Sequence, residues 1–429
     1  WGSRSVGGRG GKIIKVTNLH DKGPGSFAEA CATPGPRIVV FEVSGVIRGN
    51  VVIKHPFITI VGQTAPGAGI TLEGMISSYD YGVHDVIIRH LRIRGRRNTG
   101  SSGDLLQLGG LGKDSAGTWN IMIDHLSLAW SNDEMIDFYN THHATVQWCT
   151  IEASDTAGHP KGDHNYGIIA TAYGSGAISL HHNLWAHHSR RVPCLAPYNK
   201  NQAGDFCNNL VYNCRGGYCE DGHGVNAKSP VNLYANYYKR GPRTMSRIYP
   251  FAFIPSMEYF VKDNFFEGWG YQDHPGSWKR VKEGGDAPSW MQFNTHGTAL
   301  TNKAQTPEIR VQTAQEAAEL VLARAGCRPR DQLTLRTLQE VVAGTGSWGR
   351  DGPDQPSNAW YLKGLRAGTP PPDTDRDGMP DTWEISHQLD PRNPEDRNRI
   401  VPENANRDNP HSGYTWIEYY LNELADGLF

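Results

Sequence analysis

No apolar run in this 429-residue sequence approaches the roughly 20 residues that a helix needs to span a bilayer, so no helical membrane crossing is expected. Charge of one sign is missing too. Lys and Arg number 42 against 44 Asp and Glu, a formal net charge of −2, so no net field argues for nucleic acid or a membrane surface as partner. None of the seven cysteines forms a CxxC pair, which argues against a zinc site. No helical period of useful length appears before residue 310, which turns the reading toward an all-β chain. The chain starts at Trp1 with no initiator Met and no signal-like apolar segment, so a processed or trimmed N-terminus is expected. Cys207, Cys214 and Cys219 are close enough in sequence to expect one local disulfide in an oxidising compartment, which favours export.

Glycine, in contrast, is plentiful at 49 residues, which means many turns. Tryptophan (12) and tyrosine (18) supply flat amphipathic surface, which serves either core packing or a sugar cleft. Residues 37–45, 57–63, 69–74 and 86–95 are short, β-branched and bounded by Gly, Pro or Asn, and read as strands. Such a chain could be a sandwich, a propeller or a solenoid. A repeat decides among them. Asn183-Leu184-Trp185, Asn209-Leu210-Val211, Asn236-Tyr237-Tyr238 and Asn264-Phe265-Phe266 each set an Asn before two large apolar residues, at spacings of 26, 27 and 28. One alternating strand and one turn Asn per period in the twenties predict a parallel β-helix, whose repeated Asn amides can ladder along the axis. Leucine-rich repeats share the period, but their Leu-x-x-Leu-x-Leu signature is absent. Two intervals stretch to 34 or 35 residues and predict loops extruded on one face, often the binding face of a solenoid. Asp104 lies in the first, and Lys161 and His164 in the second.

The character changes near residue 310. Thr313 and Glu316 make a capping box ahead of an apolar 3-4 period that Gly326 stops, and 331–342 reads as a second helix. Segments 306–350 and 351–372 read as a helical segment packing on the β-helix and a Gly/Pro/Ser/Asp-rich linker. Within 373–429, Asp373, Asp375, Asp377, Gly378, Asp381 and Glu384 occupy positions 1, 3, 5, 6, 9 and 12 of an EF-hand-like calcium loop. A poorer turn, Asn404, Asn406 and Asp408, precedes the closing GYTWIEYYLNEL. This tail is expected to serve stability or attachment rather than chemistry.

Between Asn120 and Pro193, acids and cations share a short stretch. Asp133, Glu134 and Asp137, with Asp104 one stretched coil upstream, either converge on a calcium ion or form a solvated acidic turn. Arg190 and Arg191 either clamp a carboxylate or form a surface pair. His181, His182, His187 and His188 read as structural turn residues rather than zinc ligands. A hydrolase would need two carboxylates flanking the bond. Asp133 and Glu134 are candidates, but neighbours on one strand are expected on opposite faces.

The chain resembles a bacterial pectate lyase of polysaccharide lyase family 1. The resemblance rests on GGRGGKIIKVTNLHDKGPGSF, ITIVGQTAPG, VIIRHLRIR, MIDH, DEMID, TVQWCTIE and HHNLWAHHSRRVP, which span nearly all of residues 7–270. The tail resembles modules appended to such secreted enzymes. The resemblance implies a right-handed parallel β-helix over 1–305 and calcium-dependent β-elimination of polygalacturonate, an acidic plant polysaccharide. It further implies a secreted enzyme, expected to act as a monomer. It places the catalytic arginine on Arg191, two residues before Pro193, and the calcium aspartates on Asp104, Asp133 and Asp137, with Glu134 among the same acids. Arg190 and Lys161 are the expected substrate-binding residues, Lys161 being the nearest counterpart of the family's lysine and His164 its alternative. The family's second arginine is absent, its position being Ala196. Other readings are a lyase of methylated pectin or another polyuronate, and a non-catalytic carbohydrate-binding solenoid.

Overall fold

The computed structural model describes residues 1–95, 103–110, 117–154, 159–160, 164–171, 176–195, 202–214, 230–244, 257–268, 270–272, 298–349, 360–402 and 413–429. The described strands are short, two to seven residues each, and too brief to build long hairpins. Here they stack on the next coil instead. The described strands form three sheets of 11, 6 and 10 members, each running along the axis of a right-handed parallel β-helix. All described strand pairings are parallel except the last in the ten-stranded sheet, where Asn264–Phe266 meets Gly270–Gln272 antiparallel. Inward Ile, Val and Leu from successive coils fill one continuous core, from Val16 and Phe27 to Val261 and Phe266.

The Asn ladder is present and fully buried. Nδ2 of Asn183, Asn209 and Asn236 donates to Oδ1 of the next Asn at 3.1, 3.1 and 2.9 Å. The same Oδ1 accepts the backbone N–H of the preceding Asn, as where Asn183 N donates to Asn209 at 3.0 Å. The ladder satisfies backbone groups that a turn would otherwise bury bare. Asn209 Oδ1 also accepts from Trp185 Nε1 at 3.2 Å. Asn209→Ala therefore strands several buried donors at once, and should cost about 3 kcal/mol in a denaturant titration. A cost under about 0.5 kcal/mol would contradict this account of the turn.

Between the first and second strand of a coil, the chain bends through one left-handed residue. His90, His125, Trp148, His182 and Asn208 do this, with φ between 51° and 56°. The histidines expected in turns accordingly include two left-handed ones, His182 and His187.

Helix α1 (Phe27–Ala32) is one that periodicity could not signal, since it is six residues long. Ser26 caps it by accepting from Glu29 N. Helix α2 (Ala314–Arg324) carries the expected Thr313/Glu316 capping box, and α3 (Gln332–Ala343) starts at Asp331. Ala318, Val321, Leu338 and Val341 pack these two helices on Leu184, Ala186, Leu210 and Tyr212 of the ten-stranded sheet. Buried Asp331 also pairs with Arg94 at 2.8 Å. Residues 360–372, rich in Pro and Gly, are held against the β-helix through fully buried Tyr361, which donates to Glu73 at 2.7 Å. Helix α4 (Asp381–Ser386) follows the acidic loop, and α5 (Trp416–Asp426) closes the chain. Ile417, Tyr420 and Leu421 of α5 pack with Met379 on Ile38, Val40 and Val61, on the eleven-stranded sheet. The appended helices α2, α3 and α5 thus pack on the two longer sheets, and the acids and arginines lie along the shortest. No described helix is long and apolar enough to cross a membrane.

The local disulfide expected among Cys207, Cys214 and Cys219 does not form. Cys207 and Cys214 are separate buried thiols, and any pair among the three would need one of them. Proximity in sequence misled here because the chain turns a corner between them, after the strand Gly204–Cys207 and through Leu210–Tyr212. Cys219, Asn404, Asn406 and Asp408 lie outside the described residues.

Candidate active site and metal centres

Four successive coils supply the site. Asp104 precedes the strand Leu106–Gln107, Asp133 and the strand Glu134–Asp137 follow one coil on, and Tyr166–Ala170 and the Arg190–Leu195 stretch complete it. Parallel register sets Gln107 beside Asp137, and Glu134 beside Tyr166. Residues some 30 apart in sequence thereby become neighbours.

Asp104 is fixed from two sides. Glu134 N donates to its Oδ1 and Gln107 Nε2 to its Oδ2, both at 3.0 Å. Ligand oxygens of Asp104, Asp133 and Glu134 lie within 4.8 Å of one another. Asp137 Oδ1 is buried with no hydrogen-bond partner. Burial, and then the charges of Asp137 and Asp133, hold the Asp104 carboxyl well above its ordinary range. Burial likewise raises Asp137. Oxygen-only donors held this close, with the bare Asp137 oxygen on the same strand as Glu134, fit a hard divalent cation such as calcium.

Asp133 and Glu134 therefore share one side, against the alternation expected of strand neighbours. The reason is local: Asp133 sits in a bend, and the strand begins at Glu134. Alternation is then no argument against a paired-carboxylate hydrolase.

Arg190 and Arg191 differ in exposure. Arg190 is exposed, and its position bridges Tyr166 through the backbone. The Arg191 side chain is only 14% exposed and forms an ion pair with Glu134. Its guanidinium lies 4.4 Å from the centre of the Tyr166 ring. Arg191 itself has φ 58°, a left-handed turn that aims its side chain back over the acids. Burial pushes its guanidinium pKa down, against the pull of Asp133 and Asp104. Glu134, counted among the metal acids from sequence, is thus also the partner that holds Arg191.

His164 stacks on His159 with ring centres 3.7 Å apart, and lies tilted against Tyr166 at 4.6 Å. His159 Nε2 lies 3.1 Å from Asp133 Oδ2. His159, Tyr166 and Gln107 escape a sequence reading because only the stacking of coils brings them to the acids. The GHP run ahead of Lys161 was the one available hint for His159. Lys161 and Ala196 lie outside the described residues.

The tail loop is a second, separate acidic centre. Gly378, at position 6, has φ 94°, and a Cβ there would sit 3.3 Å from both Ile13 and Ile417. Asp373 accepts from Asp377 N and Gly378 N at 3.2 and 3.0 Å and pairs with Lys15 at 2.9 Å. Asp381 instead accepts from Thr374 N and Oγ1, both at 2.7 Å. Burial raises Asp377 to about 7 and Glu384 to about 8. Asp396, outside the loop pattern, joins Asp377 and Glu384 in one triad of possible ligands.

A β-helix with acids and an arginine on its shortest sheet can hold a cation and a polyanion side by side. Comparison with known proteins agrees with that class. The probable pectate lyase C of Aspergillus flavus is 31% identical over 441 residues, covering all of this chain and 93% of that protein. The probable pectate lyase C of Aspergillus terreus is 32% identical over 442 residues with the same coverage. The chain therefore belongs to the pectate lyase family of polysaccharide lyases. These relatives are fungal rather than bacterial. No family model matches the chain. Among solved structures, a pectate lyase from Bacillus sp. N165 in complex with trigalacturonate shares the fold. Its TM-score is 0.50 at 16% identity, over 75% of this chain and 95% of that one.

Proposed function

We propose that this protein is secreted and cleaves polygalacturonate by calcium-dependent β-elimination, leaving a 4,5-unsaturated sugar at each new end. The observation that carries the reading is the meeting of Asp104, Asp133 and Glu134 with Arg191, in a member of the pectate lyase family. The chemical obstacle is the weakly acidic hydrogen on carbon 5 of a uronate. Calcium held by Asp104, Asp133 and Asp137 would neutralise the sugar carboxylate and make that hydrogen more acidic. Arg191 then takes the proton from carbon 5, the electron pair forms the carbon 4–carbon 5 double bond, and the glycosidic oxygen leaves carbon 4 with its bonding electrons and takes up a proton from water to become the new hydroxyl. Glu134 and the Tyr166 ring hold the guanidinium in place for this step. An arginine is an unusual base, because free guanidinium has a pKa above 12. Burial of Arg191 works in the direction that a base requires. Arg190, exposed beside it, and Lys161 bind further carboxylates of the polymer. His164 orients Tyr166 through their ring contact.

Family membership, and not strand alternation, is what disfavours a hydrolase here. Absorbance of the unsaturated product tests the reading. Purified protein with calcium should raise it on polygalacturonate and more slowly on methylated pectin. Faster rise on pectin or on another polyuronate would reassign the substrate. Cleavage without any rise would mean hydrolysis, and binding without cleavage a carbohydrate-binding solenoid.

Chelation gives a further expected outcome. Excess chelator should abolish the product signal, and added calcium should restore it without refolding. Full activity in chelator would remove calcium from the account.

A further inference from the structure

The tail carries more bare buried oxygen than a fold tolerates without a partner. Asp377 and Glu384 are fully buried and Asp396 is 1% exposed. Asp375 Oδ2, Asp377 Oδ2, both Glu384 carboxylate oxygens and Asp396 Oδ1 have no hydrogen-bond partner. Possible ligand atoms fall into two overlapping triads, Asp373/Asp375/Asp377 and Asp377/Glu384/Asp396, with all atoms of each within 4.8 Å of one another. Buried carboxylates are strongly unfavourable unless a cation or a proton meets them. A single divalent ion at the shared corner, Asp377, would meet all of them. The donors are all oxygen, and Glu384 can offer both of its atoms, which suits calcium better than magnesium with its fixed octahedron and retained waters.

We infer that one calcium ion is held by the loop acids together with Asp396, and that it clasps the C-terminal segment onto the first coils of the β-helix. Asp396 is the new ligand, supplied from beyond α4 and outside the loop pattern. It joins the loop to α5, because the backbone just after it, at Ile400, bridges Thr415, the cap of α5. The loop in turn is fastened to the β-helix. Lys15, in the strand Lys12–Val16, pairs with both Asp373 and Glu42. Met379, whose N–H donates to Asp377 at 2.8 Å, is fully buried against Ile38, Val40 and Val61. This centre lies on the eleven-stranded sheet, and the acids that meet Arg191 lie on the six-stranded one, so the two ions act independently.

Limited proteolysis of the full-length protein, read by the mass of fragments ending within 373–429, tests the clasp without using cleavage of the polymer. Calcium should protect the tail, and chelator should open it to cutting while the β-helix stays whole. Magnesium at the same concentration should protect far less. Asp396→Asn should raise the calcium concentration for half-protection about tenfold or more, the scale of losing a charged ligand or its close support. Asp381→Asn, already occupied by Thr374, should raise it less than about threefold. Tail cutting that ignores calcium, or an Asp396→Asn protein with unchanged half-protection, would overturn the inference. If Asp396→Asn fails to fold, the calcium and magnesium arms on the unaltered protein still decide. An inactive enzyme with a calcium-protected tail would instead count only against the lyase reading.

Discussion

Arg191→Lys should lower turnover on polygalacturonate by about 100-fold or more, with little change in KM, the loss expected for a misplaced proton-transfer group. The charge survives this substitution, so a purely electrostatic role would survive with it. What is lost is the planar fork. In the native site that fork meets Glu134 on one side and the Tyr166 ring on the other. An ammonium on a flexible stem can follow one of these partners but not reproduce both. Arg190 is the internal control. It is exposed and one residue away. Arg190→Lys should change KM modestly and turnover much less. Equal modest losses at the two positions would mean that both only bind the polymer. A larger loss at Arg190 would mean that the base has been assigned to the wrong arginine.

Asp133→Ala and Asp137→Ala should each reduce turnover by about a thousandfold or more, as expected when the stabilisation that a metal supplies to developing charge is removed. Circular dichroism should not change. The sign of the stability effect separates this role from a structural one. The charges of Asp137 and Asp133 raise the Asp104 carboxyl in the fold. Removing Asp137 relieves its repulsion with the buried Asp104 carboxyl, so Asp137→Ala in chelator should unfold no earlier than the unaltered protein. A variant that is inactive because it has lost structure would unfold earlier. Retained turnover in either variant would exclude that aspartate from the calcium set.

Much of the architecture could be read in advance because the repeat imposes one residue type at one place per coil. Asn183, Asn209, Asn236 and Asn264 recur since each amide needs the next, and their spacing alone predicts stacked coils. The capping box at Thr313 is equally local, and α2 begins where it says. Features that depend on coil against coil were harder. Asp104, Asp133 and Arg191 could be chosen by resemblance, but Gln107, His159 and Tyr166 become partners only when parallel register is known. Asp133 beside Glu134 misled because alternation holds within a strand and fails in the bend before it. Asp396 was invisible for a related reason: a loop pattern describes consecutive ligands, and this one returns from a later turn. Composition reads 360–372 as a tether from its Pro and Gly, and gives no sign that one tyrosine there, Tyr361, is fully buried. From sequence, the tail should be dispensable for turnover. Its packing adds that deletion would uncover Ile38, Val40 and Val61, so a truncated chain should lose stability even where it retains chemistry.

The most direct test of the central claim is the mass of the fragments released from polygalacturonate in calcium. Elimination adds no water, so each cut should leave a new non-reducing end one water lighter than hydrolysis would leave, and Asp137→Ala should yield no such fragments. Fragments that have gained a full water at every cut, or light fragments produced equally by Asp137→Ala, would contradict the account.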